Sequence, residues 1–215
     1  MGDIFREVDE ELARERYERL WQRYGWYVLA FAVLVVAAVA GWKVWEGRQA
    51  SLREAEGVRF EAAAGLMQAG KTAEAEEAFR RLAGETGSGY GVLARFYEAG
   101  IRAKAGQATA AIEVYDSIAA DTSVPQSMRD LATVLGGLQA LGVPSIDAKA
   151  IESRIQPLTS AGNGFRHIAL EIVALAAQRS GDMEKAKTSY KAIVDDPVAP
   201  PGIRTRAAQM LNILG

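Results

Sequence analysis

The chain has 215 residues with 25 Lys+Arg against 27 Asp+Glu, a net charge of −2. It therefore lacks the basic surplus with which nucleic-acid binders neutralise phosphates, and no nucleic acid is expected as a partner. Cysteine is absent and His167 is the single histidine, which excludes disulfides, thiolate sites and multi-histidine metal centres. Abundant alanine with only 6 prolines favours a helical, non-enzymatic protein.

Residues 1–24 carry five Arg against seven Asp+Glu. Ile4, Val8 and Leu12 recur every four residues with Phe5 beside them, an apolar stripe on a short helix that leads into the next segment or rests on a membrane or a partner. Tyr24 to Trp42 then gives 19 residues without a charge, about 28 Å of helix, close to the hydrocarbon thickness of a bilayer. All four tryptophans (Trp21, Trp26, Trp42 and Trp45) bracket this stretch, and the 170 residues after Trp45 have none. Aromatic rings with a polar edge favour the membrane–water interface, so Tyr24, Trp26 and Tyr27 mark one interface and Trp42 and Trp45 the other. A buried core helix fits these flanks poorly. A cleaved signal peptide, with Ala38-Val39-Ala40 as its processing site, is opposed by the long acidic segment ahead of it. Arg14, Arg16, Arg19 and Arg23 before the span, against Lys43, Arg48 and Arg53 after it, give a slight bias toward a cytoplasmic N-terminus. Ala37 and Gly41 form a small-xxx-small pair able to seat a second copy, a candidate homo-oligomer contact.

Beyond Glu46 the sequence repeats. Glycines at 70, 106, 142 and 181 are separated by 36, 36 and 39 residues. After three of them, fixed offsets hold a small, an aromatic and an aliphatic residue: Ala75, Phe79 and Leu82; Ala111, Tyr115 and Ile118; Ala186, Tyr190 and Ile193. These offsets share one helical face. The copy after Gly142 is degenerate, with Pro144 and Pro157 in or near it. The helices ahead of each glycine carry Ala94, Ala132, Ala169 and Ala207 at separations of 38, 37 and 38. One helix pair cannot bury its own apolar face, so stacking supplies the core. The predicted fold is all-α: a transmembrane helix followed by an α-solenoid of about four helix pairs of some 37 residues and a solitary helix from Ile203 to Leu214.

No P-loop, GxSxG or HExxH motif is present, so no catalytic residue, metal or cofactor is expected. Gly87-Ser88-Gly89 and Gly162-Asn163-Gly164 read as inter-helix turns. Asp195-Asp196 ahead of Pro197 reads as a solvated turn, and His167 as a surface or packing residue. Arg129, Arg166 and Arg204 each precede a repeat alanine in an R-x-x-A arrangement. They form either a basic ridge that grips acidic side chains of a protein partner, or local pairs, for example with Asp121 or Asp195. Tyr90, Tyr97 and Arg102 are further protein-binding candidates, since aromatic and arginine residues dominate binding hot spots.

The glycine-led pattern resembles the tetratricopeptide repeat, more closely in the second helix of each pair than in the first. With DIFREVDEEL at the front, YGVLARF and the closing PPGIRTRAAQ, the whole chain resembles the bacterial tetratricopeptide-like ancillary subunits of the SecYEG translocon. That resemblance implies residues 1–23 as a cytoplasmic tail, 24–45 as a single inner-membrane span and 46–215 as a periplasmic repeat domain. It implies the translocon and newly exported polypeptides as partners, in a chaperone-like, non-enzymatic role. The same architecture also suits a periplasm-facing scaffold for envelope or cell-division complexes.

Overall fold

The computed structural model describes the backbone of residues 3–215 and the side chains of residues 21–215. The apolar stripe of Ile4, Phe5, Val8 and Leu12 lies outside the described side chains. Among the described residues the secondary structure is helical, in the order α1 (Asp3–Gln68), α2 (Thr72–Glu85), α3 (Gly89–Lys104), α4 (Ala108–Ala120), α5 (Gln126–Leu141), α6 (Ala148–Ile155), a 3-10 turn (Gln156–Thr159), α7 (Arg166–Ser180), α8 (Met183–Val194) and α9 (Pro201–Leu214). The chain divides into two compact units, Met1–Ala55 and Glu56–Gly215.

In the first unit α1 carries the uncharged stretch. An 18-residue window there has a mean hydropathy of 2.1 with none of its residues buried. Trp42 and Trp45 lie with ring centroids 5.4 Å apart, and the Arg23 guanidinium sits over the Tyr24 ring. Helix α1 does not end after Trp45, because the residues beyond it are mostly strong helix formers without proline.

The second unit is a row of antiparallel helices. Consecutive helices pack against each other from α2 to α9, and α5 also meets α7, and α7 meets α9. First helices of the pairs are the end of α1, then α3, α5 and α7; second helices are α2, α4, α6 and α8; α9 closes the row alone. Four apolar clusters result: α1 to α3 around Phe79, α3 to α5 around Tyr115, α5 to α7 with Ile112 of α4 around Ile155 and Ile172, and α7 to α9 around Tyr190. Each second helix thus fills the gap between two first helices, the stacking that a lone pair cannot supply. The nine offset positions after the glycines and the four repeat alanines are all buried, with Ala94, Ala132, Ala169 and Ala207 fully so.

The glycines end their helices by one shared device. Gly70, Gly106 and Gly181 have φ of 74°, 77° and 82°. Around each, the glycine N–H donates to the carbonyl three residues back and the next N–H reaches five back: Lys71 to Leu66, Gln107 to Arg102 and Asp182 to Ala177, all at 2.9 Å. This is the Schellman closure, which needs a left-handed residue. Gly142 departs from it, with φ of −81°. A longer loop leads from there to the short α6. The two glycines before it explain the shortfall in symmetry: a Cβ on Gly137 would come within 2.6 Å of the Ile155 side chain, and one on Gly136 within 2.8 Å of Arg154. Bare backbone there lets α5 and α6 approach closely.

Candidate protein-binding site

The three R-x-x-A arginines start α5, α7 and α9. Arg129 donates to Gln126 of its own helix. Arg166 pairs with Asp196, which also accepts from the His167 ring at 3.0 Å. Arg204 donates to the carbonyls of Asp196, Pro197 and Ala199, the last two at 2.8 Å. Arg166 and Arg204 therefore converge on the linker between α8 and α9, while Arg129 stays apart from them. Asp195 is held by Lys191 at 2.7 Å. Asp121 is held by Arg95 at 2.8 Å, a residue that sequence reasoning passed over.

These contacts reveal a repeated fastening. Asp121-Thr-Ser-Val-Pro125 and Asp196-Pro-Val-Ala-Pro200 occupy equivalent linkers, 11 residues ahead of Ala132 and Ala207. In each the carboxylate accepts the N–H two residues on, from Ser123 at 3.1 Å and Val198 at 3.0 Å. Each also grips the preceding first helix through an arginine, Arg95 in the middle of α3 and Arg166 at the start of α7. The Ser123 hydroxyl, then Arg95, hold the Asp121 carboxyl down to about 2. The His167 ring, then the Val198 N–H and Arg166, lower that of Asp196. The spacing of 75 between the two D-x-x-[VA]-P segments was a visible signal.

Charge is also paired between repeats. Arg154 of α6 holds Asp116 of α4 with two bonds of 2.5 and 2.6 Å, and Arg206 of α9 holds Glu171 of α7 at 2.7 and 2.8 Å. Bidentate pairs of this kind fix geometry.

Tyr90, Tyr97 and Arg102 all belong to α3. The Tyr90 ring rests near Phe60 and its hydroxyl is within 3.0 Å of where a Cβ on Gly57 would stand, so Gly57 admits it. Arg102 bonds Glu76 at 2.9 Å and Glu98 at 2.7 Å. Burial nevertheless pushes the Glu98 carboxyl up from its ordinary value. Tyr97 is different. Its ring stacks on Phe79 at 4.9 Å and meets Phe60 edge-on at 5.2 Å, yet it remains 40% exposed. It walls an open apolar groove of about 260 Å³ on the layer of first helices, together with Met67 of α1, Leu135 of α5 and other residues of α3. A second cleft, of about 310 Å³, lies between the linkers after α2 and α4 and is lined by Glu85, Arg95 and Asp121. Glu85 is taken by Arg59 at 2.7 Å, so these charges are already paired.

In the first unit, Tyr24, Trp26, Tyr27, Trp42 and Trp45 are all exposed, as are Ala37 and Gly41. Among the described residues no group of three or more His, Cys, Asp or Glu is placed to hold a metal ion.

Stacked antiparallel pairs, a small–aromatic–aliphatic core signature and an open groove on the first-helix layer define a helical-repeat protein of the kind that binds other proteins. The profile of the tetratricopeptide repeat-like domain matches residues 18–199, and the chain belongs to that family. The match takes in the apolar stretch of α1 and every helix from α2 to α8, stopping just ahead of α9. No individual curated protein matches the chain.

Proposed function

We propose that this chain is a single-span ancillary subunit of the bacterial SecYEG translocon, binding newly exported polypeptides without enzymatic activity. The apolar part of α1, residues 24–45, crosses the inner membrane. Residues 1–23 lie in the cytoplasm and residues 46–215 present the repeats in the periplasm. The observation that carries this reading is the apolar stretch of α1 with no side covered. Leu34 and Val36 are 65% and 68% exposed, Trp26 76%. An unbroken apolar surface of that extent on all sides of a helix is far beyond what water tolerates on a soluble protein, whereas lipid covers it at no cost. Tyr24, Trp26 and Tyr27 then sit at one interface, Trp42 and Trp45 at the other. Ala37 and Gly41 remain open for a neighbouring span.

Tethering raises the local concentration of the repeats beside membrane complexes. Of the protein-binding candidates, Tyr97 offers its ring to a partner, with Tyr90 and Arg102 supporting its helix. Arg129 presents a cation at the start of α5, and Arg166 and Arg204 set the linker beside α9.

The test is in the cell. A photo-crosslinking residue at Tyr97 of the full-length chain is expected to trap translocon subunits or exported chains, and the chain is expected to stay in the membrane through alkaline carbonate extraction. Release of the uncleaved chain by carbonate overturns the anchor. Crosslinks confined to division or envelope proteins overturn the translocon role in favour of the scaffold.

A further inference from the structure

Helix α3 contains a glycine without a structural reason. Gly91 is required, because a Cβ there would stand 2.2 Å from the Thr86 carbonyl oxygen. Gly100, in the helix interior, has no atom within 4 Å of where its Cβ would be, and its φ is ordinary. Glycine is the poorest helix former after proline, so this position weakens α3 without any close approach in return. In the repeat register the residue six after each repeat alanine is Gly100, Leu138, Leu175 and Ile213. Three repeats place a large aliphatic side chain where this one places none. The close packing of α5 with α7, and of α7 with α9, is also missing between α3 and α5. The groove of about 260 Å³ opens at that gap, floored by Gly100 and Ile101 and walled by Met67, Phe96, Tyr97 and Leu135.

Lys104 is the single charged residue in the lining. It is exposed, and none of the ion pairs among the described residues involves it. Arg102, two residues earlier in α3, is occupied by Glu76 and Glu98. We propose that the Gly100 vacancy is a side-chain pocket for a protein partner: it takes one bulky aromatic or aliphatic anchor from a peptide segment whose neighbouring residue is acidic and reaches Lys104. The pocket is smaller than the usual range for small-molecule sites and suits a single anchor of the kind that dominates protein interfaces. Its one free charge selects the sign of the flanking residue. This deepens the reading of the repeats as the protein-binding part and rests on it.

The test uses the full-length chain in nanodiscs and fluorescent twelve-residue Gly/Ser peptides read by anisotropy. One carries a central Phe-Asp, one Ser-Asp and one Phe-Lys. The Phe-Asp peptide is expected to bind at least tenfold tighter than the other two. Gly100→Leu fills the vacancy and is expected to reduce its binding at least tenfold, with a melting temperature no lower than that of the parent chain. Lys104→Glu, an exposed change that leaves the core untouched, is expected to reverse the preference toward Phe-Lys. Equal binding of all three peptides, no binding of Phe-Asp, or unchanged binding by both variants overturns the pocket. The peptides need neither the translocon nor a membrane orientation. Failure here with translocon crosslinks intact therefore refutes only the pocket, whereas anchored peptide without such crosslinks refutes only the translocon role.

Discussion

Replacing Phe79 by alanine tests whether the repeat unit is held together locally. The Phe79 side chain is fully buried, with ring centroids 5.3 Å from Phe60 and 4.9 Å from Tyr97. Truncating a buried phenylalanine costs about 3–5 kcal/mol, of which lost ring–ring geometry accounts for about 1 kcal/mol. That is a large share of the 5–15 kcal/mol typical of a domain. In a solenoid, however, each repeat touches only its neighbours. Phe79 belongs to the cluster of α1 to α3, and shares no cluster with Tyr190 at the other end. Hydrogen exchange on the full chain in nanodiscs should therefore show the amides of α2 and α3 exchanging roughly 100-fold to 4,000-fold faster, while α8 and α9 keep the parent rates. Tyr190→Ala should give the mirror image. Equal acceleration from α2 to α9 in both variants would refute the local coupling, and an unchanged α2 would refute the place of Phe79 in the core.

Three other outcomes concern the turns and linkers. Alanine at Gly70, Gly106 or Gly181 forces a Cβ into the left-handed region and should cost about 1 kcal/mol each, lowering the melting temperature by about 2–4 °C; Gly142→Ala, at φ of −81°, should fall well short of that. Arg204→Ala leaves the carbonyls of Asp196, Pro197 and Ala199 without their common donor and should destabilise α9 by about 1–3 kcal/mol, seen as early loss of protection in α9 alone. The pH dependence has a definite sign: a carboxyl whose pKa is lower folded than unfolded adds stability above its ordinary value of 3.8 and gives it up as pH falls through its folded value, about 2 for Asp121. Thermal melts of the parent chain should decline between about pH 4 and pH 2, and Asp121→Asn should flatten that decline; parallel profiles would exclude the Asp121 fastening.

What could be read from the sequence, and what could not, divides along the range of the interactions. Helix faces and Schellman glycines are encoded within a few residues, so the alanine, aromatic and aliphatic positions of α2, α4 and α8 were legible without coordinates. So were the turns at Gly87 to Gly89 and Gly162 to Gly164. The extent of α1 was less so, because nothing in the residues after Trp45 stops a helix and only packing decides where the compact unit begins, at Glu56. Partners of charged residues were the least legible. Arg154 finds Asp116 across 38 residues, and Arg166 reaches forward to Asp196 rather than back to the preceding helix end. An R-x-x-A spacing marks equal heights on successive helices but says nothing about which linker folds beneath each guanidinium.

The groove sits between these two cases. Its signal is a missing side chain, and an absence has meaning only against a register. Once Ala94, Ala132, Ala169 and Ala207 are aligned, Gly100 stands out beside Leu138, Leu175 and Ile213. That alignment still leaves two outcomes open: the neighbouring helices collapse into the gap, as α6 does onto Gly136 and Gly137, or they leave it empty. Which of these happens depends on whether a neighbour can move in. At Gly137 the Ile155 side chain does, to within 2.6 Å of a Cβ position. At Gly100 nothing does, since Tyr97 is held upright by Phe60 and Phe79 and α3 and α5 do not close. The aromatic cluster that makes the first repeat rigid is therefore also what keeps its surface open, and loosening that cluster should shrink the groove as well as weaken the fold.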